Sequence, residues 1–277
     1  NLVMVMKEKG TQNLLFTEPL ASFQGLTLSE INRYLPAIRK ADDIFPDEGK
    51  LEDGLYLADA IGGLSRFPDK SVDLIIADPP LNPIREGVNM GAPITLSEYY
   101  QWNEDWLAES SRILKATGAI YLMCDWKKSG MYHSLISQYF HIQSRITWKI
   151  LPGDDRTQSR GWNNALADIW FATKSEEFLF HGNMITLSDE EDPQDEVNNF
   201  WSDVADKEDS NELNAGIPTE IIIRILDASS FKLSWVVDPF SGYGLIGSIA
   251  KTMGRRFIGL EVNQDRLLMA MKRIDQT

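Results

Sequence analysis

Trp235-Val236-Val237-Asp238-Pro239-Phe240-Ser241-Gly242-Tyr243-Gly244-Leu245-Ile246-Gly247 decides how this chain is read. It is a short apolar strand, a tight glycine turn and the start of a helix. Glycines at 242 and 244 let the backbone turn sharply and approach a ligand with no Cβ in the way. A second strand, 256–262, follows, and Glu261 near its end stands 19 residues past Gly242. An acid so placed can accept hydrogen bonds from both ribose hydroxyls of an adenosine. Strand, loop, helix, strand and acid in that order predict an adenosine-cofactor site; a glycine turn with no ligand is the plainer alternative. Gly242, Gly244 and Gly247 also satisfy the dinucleotide fingerprint. Position argues against a dinucleotide, because such a fold opens with this unit, whereas here only 16 residues follow Glu261. The other strands must come from upstream, in permuted order. The Asp238-Pro239-Phe240 lead-in suits S-adenosylmethionine, whose amino-acid end a carboxylate and a turn can contact.

Upstream, Val72–Ala77 reads as a buried strand, a short apolar run closed by Asp78-Pro79-Pro80-Leu81-Asn82. Ligands of open α/β sheets bind beyond the carboxyl ends of strands, where the strand order switches, so the two motifs can meet there. An exocyclic amine of adenine or cytosine is conjugated with its ring and is a poor nucleophile. Acceptors that hold its N–H groups draw the lone pair toward an incoming methyl, and a carboxylate and a proline-fixed carbonyl are such acceptors. Asp78 and the Pro79 carbonyl are the candidates. Alone, Asp-Pro-Pro reads as a strand-ending turn; beside the glycine loop it reads as catalytic.

Further elements fill the interval. The pattern predicts helices over 28–42 (Ser29 as N-cap, Pro36 as a kink), 60–64, 97–114 (Ser97 as N-cap), 130–139, 219–229, 245–253 and 264–274. Strands are expected at 55–57, 119–123, 144–150 and 167–172, with Gly118 ending the unit before 119. The fold class is therefore α/β, a doubly wound and mostly parallel sheet. The expected division is an N-terminal helical extension over 1–50 and one domain over 51–277.

The net charge is −14, but residues 189–212 hold eleven acids against the single base Lys207. The expectation is a solvated acidic insertion at about 183–214, leaving the rest nearly balanced. Lys127, Lys128, Arg145, Lys149, Arg156 and Arg160 form a candidate phosphate-contacting set, and Trp162 with Asn163 and Asn164 could read base edges or fill a gap; a solvated basic loop is an equal alternative. One cysteine and three histidines argue against internal disulfides and a zinc site, and Cys124 reads as a small buried residue. No apolar run approaches the roughly 20 residues of a membrane span, and a cytoplasmic setting is expected. Asp125 reads either as the adenine end of the cofactor site or as a plain loop acid.

Taken together, the motifs resemble the amino-methyltransferases of DNA in the permuted, β-class order, where the catalytic motif precedes the cofactor motif. The similarity runs from about residue 54 onward. It includes Asp69-Lys-Ser-Val-Asp-Leu-Ile-Ile76, Trp106–Gly118, Trp148-Lys149, Ala172-Thr-Lys174 and Gly254-Arg-Arg-Phe-Ile-Gly-Leu-Glu261. The resemblance implies methyl transfer from S-adenosylmethionine to N6 of adenine or N4 of cytosine, with DNA as partner. It implies catalytic roles at Asp78, Pro79, Pro80 and Leu81. Cofactor contacts fall to Ala77, Thr219, Asp238, Pro239, Phe240, Ser241, Gly242, Gly244 and Glu261. DNA contacts fall to Asn82, Lys127, Lys149, Arg156 and Arg160. The chain departs from the family at Leu81, where an aromatic normally stacks on the flipped base, and at Leu245 and Ile246, where threonines are usual. Gly216-Ile-Pro-Thr-Glu-Ile221 also replaces a more basic stretch. These departures keep a second expectation open: a subunit of low or no turnover that binds DNA or a partner, as a homodimer or beside a related methyltransferase. An RNA or protein-amide methyltransferase ranks lower, because its usual motif order is the reverse.

Overall fold

The structure is a computed structural model, and it describes residues 25–45, 49–80, 94–149, 164–181, 198–204 and 217–277. Among these, nine strands form one sheet. In chain order they are β1 (Arg39–Lys40), β2 (Gly54–Leu57), β3 (Val72–Ala77), β4 (Leu114–Cys124), β5 (His141–Lys149), β6 (Leu166–Thr173), β7 (Phe200–Trp201), β8 (Trp235–Asp238) and β9 (Arg256–Glu261). Their spatial order is β1-β2-β9-β8-β3-β4-β6-β5-β7. The pairs from β1 through β4 are parallel, while β6 runs antiparallel to both β4 and β5. Seven helices accompany it: α1 (Leu28–Tyr34), α2 (Ala60–Leu64), α3 (Leu96–Ile113), α4 (Trp126–Tyr139), α5 (Thr219–Ser229), α6 (Leu245–Thr252) and α7 (Gln264–Asp275). Two apolar layers, one on each face of the sheet, hold it together. One gathers Leu74, Tyr121, Phe171, Ile225 and Phe257; the other gathers Ile75, Trp106, Leu122, Leu135 and Ile258. This is the doubly wound α/β fold expected from the alternation of strands and helices.

The permutation is visible at the centre. β8 leads through α6 to β9 on one side, while its other neighbour, β3, leads to β4 on the opposite side. The order therefore switches between β8 and β3, and the carboxyl ends of these parallel strands share one edge. Register places Ile75 beside Val237, Asp238 beside Gly259, Leu57 beside Glu261 and Ala77 beside Leu122. At the amino edge, Asp73 bridges the switch by accepting the Trp235 amide (2.8 Å) and the Lys115 ammonium (2.7 Å).

Several local expectations are corrected. α1 is capped by Thr27, not Ser29, through a capping box with Glu30, and it ends at Tyr34; Pro36 lies in the 3-10 turn that follows. α3 is capped by Thr95, not Ser97, with Glu98 closing the box. In both, a threonine three residues before a glutamate satisfies two orphan amides, which a lone serine cannot do. Gly118 lies inside β4, which begins at Leu114. Part of the acidic stretch belongs to the sheet: β7 pairs with β5, and Trp201 and Val204 are buried. Arg224 of α5, itself buried, forms an ion pair with Asp203 and covers the Trp201 ring. A cation on a helix thus anchors this acidic segment.

Candidate active site

A cavity of about 1470 Å³ opens at the switch point, and Asp78, Pro79 and Pro80 line it together with Asp238, Gly242 and Glu261. The two motifs, far apart in sequence, therefore face one space.

On the cofactor side, β8 ends in Asp238, which is fully buried and accepts the Phe240 amide at 3.0 Å. Burial pushes this carboxyl well above its ordinary range, and the neighbouring negative charges of Asp78 and Glu261 push it further. The loop turns through left-handed backbone at Gly242 (φ +51°) and Gly244 (φ +77°). A Cβ at Gly244 would lie 2.8 Å from Cβ of Ala270 in α7, and one at Gly247 would lie 2.5 Å from the Phe257 ring. A Cβ at Gly242 would meet nothing nearer than 3.9 Å. Gly242 is thus set by backbone conformation, whereas Gly244 and Gly247 also serve close packing. Glu261 is buried and accepts the Gly242 amide (2.9 Å) and the Asn263 amide (2.8 Å), one on each carboxylate oxygen.

These residues fit S-adenosylmethionine. Glu261, held by two amides at the cavity wall, presents a carboxylate of the kind that accepts from vicinal ribose hydroxyls. Three carboxylates converge on a space suited to a group that carries an ammonium and a sulfonium, and a backbone without side chain borders it at Gly242. The sequence reading missed Asp59. Its carboxylate caps α2 by accepting the Gly62 amide (2.8 Å), and it lines the cavity where Ala58 N–H binds the Glu261 carbonyl. β2 pairs with β9, so an acid just past β2 falls beside Glu261. Sequence alone does not show that adjacency.

On the catalytic side, Pro79 is buried and Asp78 is partly exposed. The Pro80 carbonyl accepts the Tyr99 hydroxyl (3.1 Å), which contacts the Tyr132 hydroxyl (2.9 Å). Tyr132 donates to Asn103 Oδ1, as does Trp106 Nε1, each at 3.0 Å. The end of the Asp-Pro-Pro loop is thus tied to α3 and α4 by a buried polar network. The Pro80 carbonyl is thereby held toward Tyr99. The contact of Tyr99 with residue 80 is not legible from the sequence and follows from the fold.

The remaining predicted residues divide. Pro239, Phe240, Ser241 and Lys127 line the cavity, as does Asp125, which also caps α4. Leu245 and Ile246 line it too and are buried. Ala77 is buried within the sheet, and Gly244 shapes the turn from behind. Thr219 is exposed at the start of α5 and is not among the lining residues, whereas Ile217 is. Lys149 is exposed at the end of β5 and is not among the lining residues, though its neighbour Trp148 is. Cys124 lines the cavity with its thiol pushed up to about 12 by burial, which keeps it protonated and unfit as a nucleophile. Leu81, Asn82, Arg156, Arg160, Trp162 and Asn163 lie outside the described residues. Among the described residues no cluster of metal-ligating side chains occurs and no helix is long and apolar enough to cross a membrane.

The fold and this cavity define an S-adenosylmethionine-dependent methyltransferase. A family model described as DNA methylase, for N6 and N4 methyltransferases, matches residues 72–272, and the chain belongs to that family. It is similar to the type II methyltransferase M.HpaI of Haemophilus parainfluenzae, at 28% identity over 81% of this chain and 75% of that protein. It is also similar to the DNA adenine methyltransferase YhdJ of Escherichia coli (strain K12), at 25% identity over 78% of this chain and 81% of the relative. Among solved structures, the PvuII cytosine-N4-specific DNA methyltransferase superposes with a TM-score of 0.65 at 17% identity, covering 80% of this chain and 86% of that one. The M1.HpyAVI complex with S-adenosylmethionine gives 0.59 at 19% identity, over 80% and 98%. The protein is a DNA amino-methyltransferase that uses S-adenosylmethionine.

Proposed function

We propose that this chain methylates the exocyclic amine of a DNA base with Asp78 and the Pro79 carbonyl as the two acceptors at the reacting nitrogen. The observation that carries this reading is the single cavity shared by Asp78-Pro79-Pro80 and the Asp238–Gly242–Glu261 loop system. When bound, S-adenosylmethionine supplies an electrophilic methyl on a cationic sulfur. Glu261 would hold the ribose hydroxyls, Asp238 and the 239–242 turn would hold the amino-acid end, and Asp59 would lie on the adenine side. The Asp78 carboxylate accepts one N–H of the target amine and the Pro79 carbonyl the other. This geometry turns the nitrogen lone pair out of conjugation and toward the donor. Asp78 then takes up the proton that the amine must lose. Lys127 at the cavity rim, with Lys149, Arg156, Arg160 and Asn82, is assigned to the DNA backbone and base edges.

The test is transfer of labelled methyl from the cofactor to unmethylated genomic DNA. Wild-type transfer that is lost in Asp78→Ala, with cofactor affinity retained in calorimetry, is expected. Absence of transfer to any duplex or single strand defeats the reading and leaves the subunit of low turnover in its place. The type II names of several relatives support a restriction-modification role in the cytoplasm. Residues 51–277 are read as the methyltransferase domain, to whose sheet the 1–50 extension adds β1, with 183–214 as its acidic insertion. Leu245 and Ile246, aliphatic where they face the cofactor space, support a chain that works with a second copy or a related subunit. Sedimentation with and without DNA tests that.

A further inference from the structure

We propose that Trp126 is the flat partner on which the extruded target base stacks. The inference rests on the reading above and names the residue that captures the substrate. A base methylated on its exocyclic amine must leave the duplex stack, and the lost stacking is recovered only against another flat surface. Six aromatic residues line the cavity among the described residues: Trp102, Trp126, Tyr132, Trp148, Phe240 and Tyr243. Tyr132 and Trp148 are sunk into the protein. Trp102 and Phe240 pack against each other at 5.5 Å, and Phe240 also meets the edge of Trp106. Tyr243 belongs to the glycine loop and lies under the Arg266 guanidinium. Trp126 remains, 54% exposed among the cavity's lining residues. An indole left this open beside the cavity is costly to keep in water, and stacking is the contact it is shaped to make.

Its place in the sheet agrees. β3 lies between β8 and β4, and Ala77 is level with Leu122. Past those positions, Asp78 and Pro79 follow the end of β3, while Asp125 and Trp126 follow Cys124, the last residue of β4, on the same edge. Asp78 therefore stands between the cofactor loop on its β8 side and Trp126 on its β4 side. A nitrogen held at Asp78 has the methyl donor to one flank and the indole toward the other. Asp125 fixes the start of α4 by accepting the Lys127 amide at 3.1 Å, which holds Trp126 in the first turn. The Lys127 ammonium lies 5.8 Å from the Trp126 ring centroid, so a cation accompanies the platform at the rim where DNA phosphates must pass.

The experiment has two arms. Sequencing of genomic DNA methylated by the wild-type protein gives the target motif, and a duplex carrying 5-iodouracil at the methylated position is then irradiated with the protein. The crosslink is expected on Trp126 by peptide mass spectrometry. In parallel, Trp126→Ala is expected to lower kcat/KM for DNA roughly ten- to hundredfold while leaving S-adenosylmethionine affinity unchanged, and Trp126→Phe is expected to recover most of the loss. A crosslink on another residue, or unchanged kcat/KM in Trp126→Ala, overturns the proposal while methyl transfer by the wild type stands. If Trp126→Ala does not fold, the crosslink position and the Trp126→Phe rate decide. A wild-type chain that methylates no DNA removes both this inference and the reading it rests on.

Discussion

At the scale of single residues, two side chains at the site have separable consequences. Asp238 is buried at a strand end, and its native pKa lies well above the unfolded value of 3.8, first because of burial and then because of Asp78 and Glu261. A raised carboxyl pKa means that the folded state binds the proton more tightly than the unfolded state. The stabilisation this gives is complete below 3.8 and is lost as pH rises through the native value. Asp238→Asn should therefore raise the melting temperature of the cofactor-free protein at neutral pH, yet weaken S-adenosylmethionine binding, because the anion facing the cofactor's ammonium is gone. Scanning fluorimetry and calorimetry on the same samples check the two signs; a variant both less stable and undiminished in affinity would contradict the assignment. Tyr99 acts through Pro80. Tyr99→Phe keeps the ring but removes the donor to the Pro80 carbonyl, so kcat should fall roughly three- to tenfold while cofactor affinity holds. Equal losses in kcat and in cofactor affinity would point to general disorder of the site instead.

At the scale of elements, the turn from β8 into α6 and the Asp73 bridge set the geometry that those residues use. Gly244→Ala places a Cβ on left-handed backbone and 2.8 Å from Ala270, so α6 and α7 must separate. The expected result is a drop of roughly 1–3 kcal/mol in unfolding free energy by urea titration, accompanied by loss of cofactor binding. Asp73→Ala strips the partner from the Trp235 amide and from Lys115 at the opposite edge, and should cost roughly 1–3 kcal/mol while sparing cofactor contacts. The same elements show what could be read in advance. β3, β8 and β9 were legible because parallel strands covered on both faces are short apolar runs, here ended by Asp-Pro or an acid. α5 was legible because Ile221, Ile222, Ile225 and Leu226 recur at spacings of three and four, the apolar stripe of a helix. The N-caps at Thr27 and Thr95 were misplaced because a nearby serine is an equally good cap by residue type, and only the reciprocal glutamate separates them. β7 was hidden because Phe200-Trp201 sits among acids, and its pairing with β5 and the Arg224–Asp203 ion pair beside it are long-range contacts that sequence does not show. In the site, Asp78, Asp238 and Glu261 carry their own motifs. Asp59, Tyr99 and Trp126 do not: the pairing of β2 with β9 brings Asp59 there, the packing of α3 against the Asp-Pro-Pro loop brings Tyr99, and the start of α4 just past β4 brings Trp126.

At the scale of the whole molecule, the permuted order makes the active site a joint between two parts of the chain. Residues 72–149 supply the catalytic motif and its flank, while residues 217–277 supply the cofactor loop. They meet along one seam, where Leu74 and Ile75 of β3 pair with Val236 and Val237 of β8. One end of the seam is closed by the Asp73 carboxylate on the Trp235 amide, and the other end opens into the cavity. A ligand that touches both Asp238 and the Asp78 loop bridges that open end, so its binding energy adds to the cohesion of the entire sheet rather than to one lobe. At S-adenosylmethionine concentrations near a hundred times Kd, linkage contributes about 2.7 kcal/mol, which for a chain of this length raises the melting midpoint by roughly 5–10 °C in a single transition. Hydrogen exchange locates the effect. Slowed exchange is expected at the Val236 and Val237 amides and also at Ile75 and Ile76 across the seam. Protection confined to β8 and β9, with β3 exchanging as before, would show that the cofactor loop and the catalytic loop respond separately, and that the shared cavity does not couple them.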